Sequence, residues 1–520
     1  MPSSRIIFLF VSIILVGLGY IFIVPPFENF DEDVHFSKIR QAYFLNEQFK
    51  INEKNIDLNI IEYQGPRPYS NGTPPFDSHL TYNKFFNHND SSEFLKNYKE
   101  NSFNNSYKAS DEINWQHQHP PLFYIANAFF YKHLTNLSLV SQVNSLRIFS
   151  FFIFLLGLGI CFYCFANIEG LKKFQHSVFI YPILFPMLFI QFARIGNDSL
   201  IFLLFSLIFL LFIKWFFGGK GVKPPIFILL SIVSGIGLLV KAFFVPIFLS
   251  LVISMVMIER KLIIQKNFFL LLLFPYIGIF LVWGYFNHKI NNDFGLGVEF
   301  NELISSDANN LLGNMSYDKL IKGILTPLVT FSWSGTLSLT RIPTVMQLFM
   351  LTPLLFIFYV STKKIINKFN SCHLFWTAYI FIIIFYIFLE GHVVINMLLG
   401  GPGASAGWYL HIFFPFICII IGSCFRKTKN IKTINIQKYL VLIFVFFHII
   451  LLWFLLTLYG GCSLKLPNKS FGFDNSFCMA NIDVIINNIN VTNYATIGLI
   501  FWFMGIFLLY YLAVKELNNK

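Results

Sequence analysis

Charged side chains are the scarcest component of this sequence. Of its 520 residues only 12% are Asp, Glu, Lys or Arg, whereas 56% are apolar and 19% are aromatic. Soluble domains carry about 25% charged residues, so this composition excludes an ordinary water-soluble globular protein. The chain is therefore predicted to be an integral membrane protein.

Two further features are missing. The first apolar run has no small-residue cleavage site and continues directly into "IVPPF", which favours a retained signal anchor over a removed signal peptide. Cysteine is also sparse, at seven residues, of which five lie in or beside apolar runs. The remaining two, Cys462 and Cys478, share one loop, where a structural disulfide and two free thiols are both open.

Long apolar runs dominate what is present. A transmembrane helix needs about 20 apolar residues, and such runs lie at 5–24, 145–166, 175–193, 198–217, 268–286, 344–360, 372–390, 408–425, 437–459 and 494–514. The segment 226–258 is predicted to form a helical hairpin that turns at "VKAFFVP". The fold class predicted is an all-α polytopic membrane protein with about 12 spans (11 to 13).

The basic residues are concentrated on one side of the predicted membrane. If the N-terminus is cytoplasmic, the cytoplasmic loops and ends hold 19 of the 38 basic residues and only three of the 26 acidic residues. This asymmetry fits the positive-inside rule, so the net charge of +12 needs no nucleic-acid partner. We expect the protein to lie in the inner (cytoplasmic) membrane of a bacterial cell, with both termini in the cytoplasm.

Three extracytoplasmic segments interrupt one membrane domain that covers residues 1–520. They are 25–144, 287–343 and 460–493, and the first two are long enough to carry a site. Within the first, "DVHFSKIRQAYFLNEQF" and "PPLFYIANAFFYKHL" have helical periodicity but are too short to span. We expect them to lie at the membrane interface as amphipathic helices.

An acidic cluster follows the first predicted span. Asp31, Glu32 and Asp33 are consecutive and precede a helical pattern, so they are candidates for helix capping. Three adjacent carboxylates repel one another unless a cation or proton is shared, and an ionised carboxylate can act as a general base. Capping and catalysis are both open for this cluster.

Other polar side chains mark the predicted outer ends of spans, where charges line ligand sites. His119 is a candidate hydrogen-bond donor to a phosphate or an acceptor hydroxyl; zinc binding by His117 and His119 lacks a third ligand at a recognised spacing. Arginine suits a phosphate group. The candidate substrate-binding residues are His35, His119, Arg194, Asp198, Lys241, Arg341, Tyr409 and His411.

Six short motifs occur in an order that resembles the GT-C superfamily of integral-membrane glycosyltransferases. More narrowly, the chain resembles a bacterial and archaeal branch with P-D-E-x-x-H-F after the first helix. The corresponding stretches here are "FDEDVHF", "QHPPLFY", "GNDSL", "LLVKAFF", "FSWSGTLS" and "GWYLHIFFP". The resemblance extends over residues 25 to about 416, and it implies GT-C-like architecture with a catalytic acidic motif in the first outer loop.

The resemblance also implies residue roles. Asp31 would be the general base and Glu32 its partner for the acceptor or for a metal, with Mg²⁺ or Mn²⁺ as the candidate cation; no cofactor is otherwise expected. The role of Asp33 is open, because the family has a neutral residue there. Trp408 stands where the family tends to have Arg, so a phosphate contact there is in doubt.

The function implied is transfer of a sugar from a polyprenyl-phosphate donor to an envelope glycan, lipid or protein at the outer face of the membrane. The partners would be this donor lipid, the acceptor and the surrounding membrane, without nucleic acid. A transporter or flippase for lipid-linked glycans is the alternative from another class, and an oligosaccharide polymerase or ligase is a nearer one.

Overall fold

A computed structural model gives the structure of the protein. It describes residues 4–45, 54–66, 80–87, 89–100, 103, 105–117, 119–219, 221, 223–291, 317–339, 342–343, 345–352, 355, 359, 373–400, 405–424, 431–465, 471–473 and 481–518. Helices dominate these residues, and the strands are short.

Seven described helices are long and apolar enough to cross a membrane. They are Ser4–Ile23, Leu139–Asn167, Asp198–Phe217, Asn267–Tyr285, His373–Leu398, Gln437–Tyr459 and Ala495–Asn518. Two of them are parts of longer helices: Asn267–Tyr285 lies within Lys266–Asn291, and Gln437–Tyr459 lies within Ile431–Tyr459. The prediction of an all-α polytopic membrane protein is confirmed, and the predicted number of about twelve spans counts shorter apolar helices as crossings.

The shorter apolar helices arise where proline or a polar turn interrupts an apolar run. The predicted hairpin is present as Pro224–Leu238 and Phe244–Ile258. The run 175–193 is split into Gln175–Leu184 and Met187–Phe192, since Pro186 lacks the N–H that would continue the helix. The run 408–425 begins as a 3-10 helix, Gly407–Phe413, before Phe414–Cys424.

The first and last long helices pack together through small residues. A Cβ atom on Gly19 would lie 2.7 Å from Cβ of Trp502, and one on Gly505 would lie 2.7 Å from the backbone nitrogen of Val16. Glycine at such positions lets two helix backbones approach closely, as is common between membrane helices. The N-terminal helix is therefore held in the bundle on one side by the C-terminal helix.

Shorter elements lie between the long helices. Strand Asn55–Asp57 pairs antiparallel with Ala109–Ile113, and Ser463–Lys465 pairs antiparallel with Phe471–Phe473. The remaining elements are the helices Glu32–Phe44, Leu58–Ile61, Tyr82–Asn87, Ser91–Glu100, Leu122–Tyr131, Glu169–Lys172, Tyr317–Ser332 and Ile482–Thr492, and the 3-10 helix Arg260–Ile264.

The helix Glu32–Phe44, called here the acidic helix, differs from the expected amphipathic surface helix. Its residues from Glu32 to Gln41 are all buried, so it has no exposed polar face along this length. It packs against the helix Leu122–Tyr131, here called the aromatic helix. The acidic helix thus lies inside the protein, which surrounds the acidic motif with other side chains.

Candidate active site

Asp31 lies at the N-terminus of the acidic helix in an unusual backbone conformation. Its φ of 58° and ψ of 12° are left-handed, and its side chain makes no capping hydrogen bond. Instead, Nε1 of Trp115 donates to Oδ1 of Asp31 at 3.0 Å. A left-handed non-glycine residue is uncommon and clusters at functional sites. The Asp31 side chain is therefore turned away from helix capping and toward the space beside Trp115.

Glu32 has a different environment from Asp31. Both of its oxygens are bound by Arg147: Nε donates to Oε1 at 2.7 Å, and Nη2 donates to Oε2 at 2.5 Å. The backbone N–H groups of Phe27 and Ile195 and the amide of Asn29 also donate to this carboxylate. Five N–H donors thus surround one buried carboxylate.

This arrangement leaves Glu32 little capacity for chemistry. A carboxylate offers about four lone-pair positions, and the five donors occupy them. Arg147 is itself fully buried and also donates to the carbonyl oxygens of Ile21, Val24 and Pro25. The expected catalytic pair of Asp31 and Glu32 therefore divides into one available carboxylate and one that holds the turn to the long helix Leu139–Asn167.

Basic side chains lie opposite residues 28–33, called here the acidic turn. Nη2 of Arg194 lies 2.6 Å from Oδ2 of Asp198, and its Nη1 donates to the carbonyl oxygen of Phe30, next to Asp31. Nζ of Lys241 lies 3.7 Å from Oδ1 of Asp198. The structure therefore brings Arg194, Asp198 and Lys241 together beside Asp31, as the sequence-based set of candidates requires.

Aromatic rings frame these charges. The ring of Trp408 stacks on Phe30 with centroids 4.7 Å apart, and the guanidinium of Arg194 lies 5.7 Å from the Trp408 ring centroid. Nζ of Lys241 lies 4.3 Å from the Tyr409 ring centroid. Cations are attracted to the faces of such rings. Trp408 thus packs against Arg194 from one side.

His35 faces the same space from the acidic helix. Its Nδ1 lies 2.9 Å from the hydroxyl oxygen of Tyr124. Burial lowers the pKa of His35 well below its ordinary value, and the cations of Arg194 and Lys241 lower it further. The ring is therefore neutral near pH 7. Burial raises the pKa of its partner Tyr124, and the negative charges of Asp31 and Asp198 raise it further.

His119 belongs to the loop that also carries Trp115. Its backbone N–H donates to the carbonyl oxygen of Gln116 at 3.1 Å. Burial lowers the pKa of His119 well below its ordinary value, and the nearby charges of Lys241 and Lys38 add to this effect. His119 is therefore a neutral ring near pH 7, placed on the same side of the site as Lys241.

Asp33 is the third carboxyl group of the cluster, and its protonation avoids repulsion between neighbouring negative charges. It is 2% exposed, and burial raises its pKa to about 8, with smaller contributions from the charges of Asp31 and Glu32. Asp33 therefore carries a proton at neutral pH. The three consecutive acids thus comprise one protonated group, one bound by Arg147 and one that accepts from Trp115.

Asp33 should make stability depend on pH. The unfolded chain releases this proton near its ordinary pKa of 3.8 and the folded chain near about 8, so stability falls as pH rises between these values. We expect Asp33→Asn to flatten this decline and to melt roughly 2–5 °C above wild type at pH 8, with little difference at pH 4.5. The measurement is thermal unfolding of wild type and Asp33→Asn in detergent between pH 4.5 and pH 8. Identical pH profiles of the two proteins would contradict this prediction.

Some predicted residues are not part of this arrangement. His411 is buried between helices, where Nδ1 lies 2.7 Å from the Tyr181 hydroxyl oxygen and Nε2 lies 2.9 Å from the Phe331 carbonyl oxygen. Both ring nitrogens are therefore used inside the bundle. Arg341 and Cys478 lie outside the described residues, and Cys462 is disulfide-bonded.

The site also contains residues that sequence reasoning missed. Arg147 stands at the outer end of a predicted span, where a buried charge is costly, and this position was the available signal. Tyr124 belongs to the "QHPPLFY" motif but was not chosen as a candidate, and nothing in the sequence pattern marks Lys38 or Trp115. Glu28 is buried and accepts from the Ser338 hydroxyl at 2.7 Å, which joins the segment after the first helix to the "FSWSGTLS" motif.

The donor set does not fit a divalent cation held by Asp31 and Glu32. Among the described residues, no group of three or more His, Cys, Asp or Glu side chains could together hold a metal ion. The Glu32 oxygens are occupied by N–H donors, and a cation needs free carboxylate lone pairs. The positive charges at this site are instead the side chains of Arg194 and Lys241.

Comparison with known proteins gives one family and one kind of solved structure. The model of the family described as "Predicted membrane protein (DUF2142)" matches residues 14–403. The structure of ArnT from Cupriavidus metallidurans in the apo state is similar at 11% identity with a TM-score of 0.46, covering 99% of this chain and 78% of that chain. The same protein bound to undecaprenyl phosphate gives the same identity and TM-score, with 98% and 78% covered. No curated protein matches this sequence.

Proposed function

The chain belongs to the DUF2142 family of predicted membrane proteins, and we propose that it is a glycosyltransferase that uses a polyprenyl-phosphate-linked sugar. The acceptor would be an envelope glycan, a lipid or a protein. Asp31 would be the catalytic base, and Arg194 and Lys241 would bind the phosphate of the donor.

The observation that carries this proposal is the convergence of the six sequence motifs. "FDEDVHF" contacts "QHPPLFY" through His35 and Tyr124, with 2.9 Å between Nδ1 and the hydroxyl oxygen. It contacts "GWYLHIFFP" through the rings of Phe30 and Trp408. Motifs separated by hundreds of residues thus meet at Asp31.

The remaining motifs join the same cluster. "GNDSL" meets "LLVKAFF" through Asp198 and Lys241, 3.7 Å apart. "FSWSGTLS" reaches the acidic turn, since the Leu337 N–H donates to the Glu28 carbonyl oxygen at 2.8 Å. The six motifs lie close together in the structure, which supports one shared site, because unrelated sequence matches would be scattered over the fold.

The chemistry proposed is a single displacement. Asp31 would accept the proton of an acceptor hydroxyl while that oxygen forms a bond to the anomeric carbon of the sugar. The bond from this carbon to the phosphate oxygen would break, and the electron pair would stay on the phosphate. Arg194 and Lys241 would stabilise the released negative charge.

The proposed side of action is extracytoplasmic. The positive-inside arrangement of the loops supports this side, because it would put the acidic turn, which follows the first span, outside the cytoplasm. A polyprenyl chain is apolar and can remain in the bilayer while its phosphosugar reaches this surface. Such a donor would allow sugar transfer at the outer face without a nucleotide sugar.

The flippase alternative is less well supported by the packing. A flippase needs a polar path through the bilayer, whereas stacked aromatic rings fill the interior below the site. Phe154 stacks on Phe192 with centroids 4.1 Å apart, and Phe205 packs against Phe413 with centroids 5.0 Å apart. The described charged residues of the site lie together at the proposed outer end.

The experiment that tests the function uses membranes from cells that express or lack this protein. They are supplied with a panel of radiolabelled polyprenyl-phosphate sugars, and label in acceptor material is measured after organic extraction of the donor lipid. We expect transfer from at least one donor only when the protein is present. Reconstituted vesicles that move donor lipid without forming a glycosidic product would support the flippase and reject the enzyme.

The charged side chains at the site also predict how transfer responds to chelators. Because Asp31 and Glu32 do not offer a shared metal site and Arg194 with Lys241 supply positive charge, we expect transfer to change less than about twofold in excess EDTA. The measurement is the initial rate in purified protein before and after chelation and after adding Mg²⁺ or Mn²⁺. A loss that either ion restores would contradict this assignment of charge.

A further inference from the structure

Lys38 makes an unusual contact with the loop at residues 114–119, called here the histidine loop. Its Nζ donates to the carbonyl oxygens of Gln116 at 2.9 Å, His117 at 2.9 Å and His119 at 2.7 Å. An ammonium group has three N–H donors, so all of them are used. The side chain is 2% exposed, and water does not compete for these hydrogen bonds.

The histidine loop carries the partner of Asp31. Trp115, whose Nε1 donates to Asp31, is adjacent in sequence to Gln116. Asn114 ties the start of the loop to the acidic helix, because its Nδ2 donates to the Val34 carbonyl oxygen at 3.0 Å. The loop is therefore held to the acidic helix on both sides of Trp115.

We propose that Lys38 is a positioning residue for the Asp31 site, which it organises by gathering three carbonyl oxygens and thereby fixing the histidine loop. The expected effect on the rate of transfer rests on the proposed function, whereas the expected effect on the histidine loop does not. Lys38 lies two turns along the acidic helix from Asp31, so it acts through the loop and Trp115. Loss of the clamp would release Trp115 and leave Asp31 without its fixed hydrogen-bond donor.

Burial of the Lys38 ammonium group makes this clamp sensitive to pH. It faces His35 on its own helix, His117 and His119 on the loop, and the Tyr124 ring, whose centroid lies 4.4 Å from Nζ. Among the described residues, no carboxylate forms an ion pair with it. Burial lowers the pKa of Lys38 to about 7, so the third donor is lost as pH rises through neutrality.

The first test measures the loop without any substrate. Hydrogen exchange of the backbone N–H groups of residues 114–117 and 119 is compared in purified wild type, Lys38→Met and Lys132→Met. Lys132 is an exposed lysine and serves as the matched control. We expect Lys38→Met to exchange at least about tenfold faster in this segment alone, since the N–H groups of His117 and His119 lie in its turns. Unchanged protection would overturn the proposal whatever the protein catalyses.

The second test separates positioning from general structure. Misplacing a catalytic group lowers kcat on the order of 10- to 100-fold, and we expect this for Lys38→Met with the donor KM changed less than about threefold. Arginine stays charged at all relevant pH values, so Lys38→Arg should transfer more slowly than wild type but without its decline above pH 7. If Lys38→Met does not fold, this pH profile of Lys38→Arg still decides: a decline identical to wild type would overturn the proposal.

Discussion

Replacement of Asp31 with Asn is expected to reduce sugar transfer by about 10²- to 10⁴-fold. Asparagine has nearly the same shape and can still accept the hydrogen bond from Nε1 of Trp115, which is 3.0 Å from Oδ1 of Asp31. It cannot accept the proton of an acceptor hydroxyl. The effect should therefore appear in kcat rather than in the amount of folded protein, and it is measured as the initial rate of transfer with a saturating donor.

The control for this variant is Asp111→Asn, which makes the same chemical change in the same segment between the helices Ser4–Ile23 and Leu139–Asn167. Asp111 is exposed on the strand Ala109–Ile113, a few residues before Trp115, and its loss should leave the rate within about twofold of wild type. Near-normal transfer by Asp31→Asn would remove Asp31 from the role of base. A loss in both variants would point to the fold of the segment and not to proton transfer.

Replacement of Arg147 with Met is expected to lower the free energy of unfolding by about 3–5 kcal/mol, because it leaves a buried carboxylate without its cation. Both Arg147 and Glu32 have side chains that are 0% exposed, so water cannot take over. The Pro25 carbonyl oxygen would also lose its Arg147 donor, and those of Ile21 and Val24 would keep only the donor from the Asn493 amide. The measurement is thermal or denaturant unfolding of the purified protein in detergent.

A double-mutant cycle separates the ion pair from the packing. Glu32→Gln combined with Arg147→Met should be more stable than Arg147→Met alone, since no unpaired charge remains buried. The matched control is Arg5→Met, which removes the surface pair with Glu516, where the Arg5 side chain is 39% exposed, and should cost less than about 1 kcal/mol. Equal losses from Arg147→Met and Arg5→Met would show that the buried pair does not hold the acidic turn.

The membrane fold was largely predictable from the sequence because apolar runs of spanning length have few other structures open to them. The helices Ser4–Ile23, Asp198–Phe217 and Ala495–Asn518 follow the predicted runs within a few residues. The hairpin that turns at Lys241 was also predicted. The break within 175–193 was not predicted, although Pro186 was visible in the sequence as its cause.

The candidate site was predictable only in part. Arg194, Asp198 and Lys241 were chosen because polar residues near membrane depth are costly, and the structure places them together. The same reasoning selected His411, whose two ring nitrogens bind groups inside the bundle. A polar residue at a span end can thus face either a site or another helix, and sequence position alone does not distinguish the two.

By itself, the sequence determined that this is a helical membrane protein with an acidic motif after its first span, because hydrophobicity and the positive-inside rule act locally along the chain. Only the tertiary structure decided what each acid of that motif does. Asp31, Glu32 and Asp33 are neighbours in sequence, but their partners are Trp115, Arg147 and a proton. Those partners come from distant segments or from burial, and the charge and availability of a carboxylate depend on what surrounds it in space.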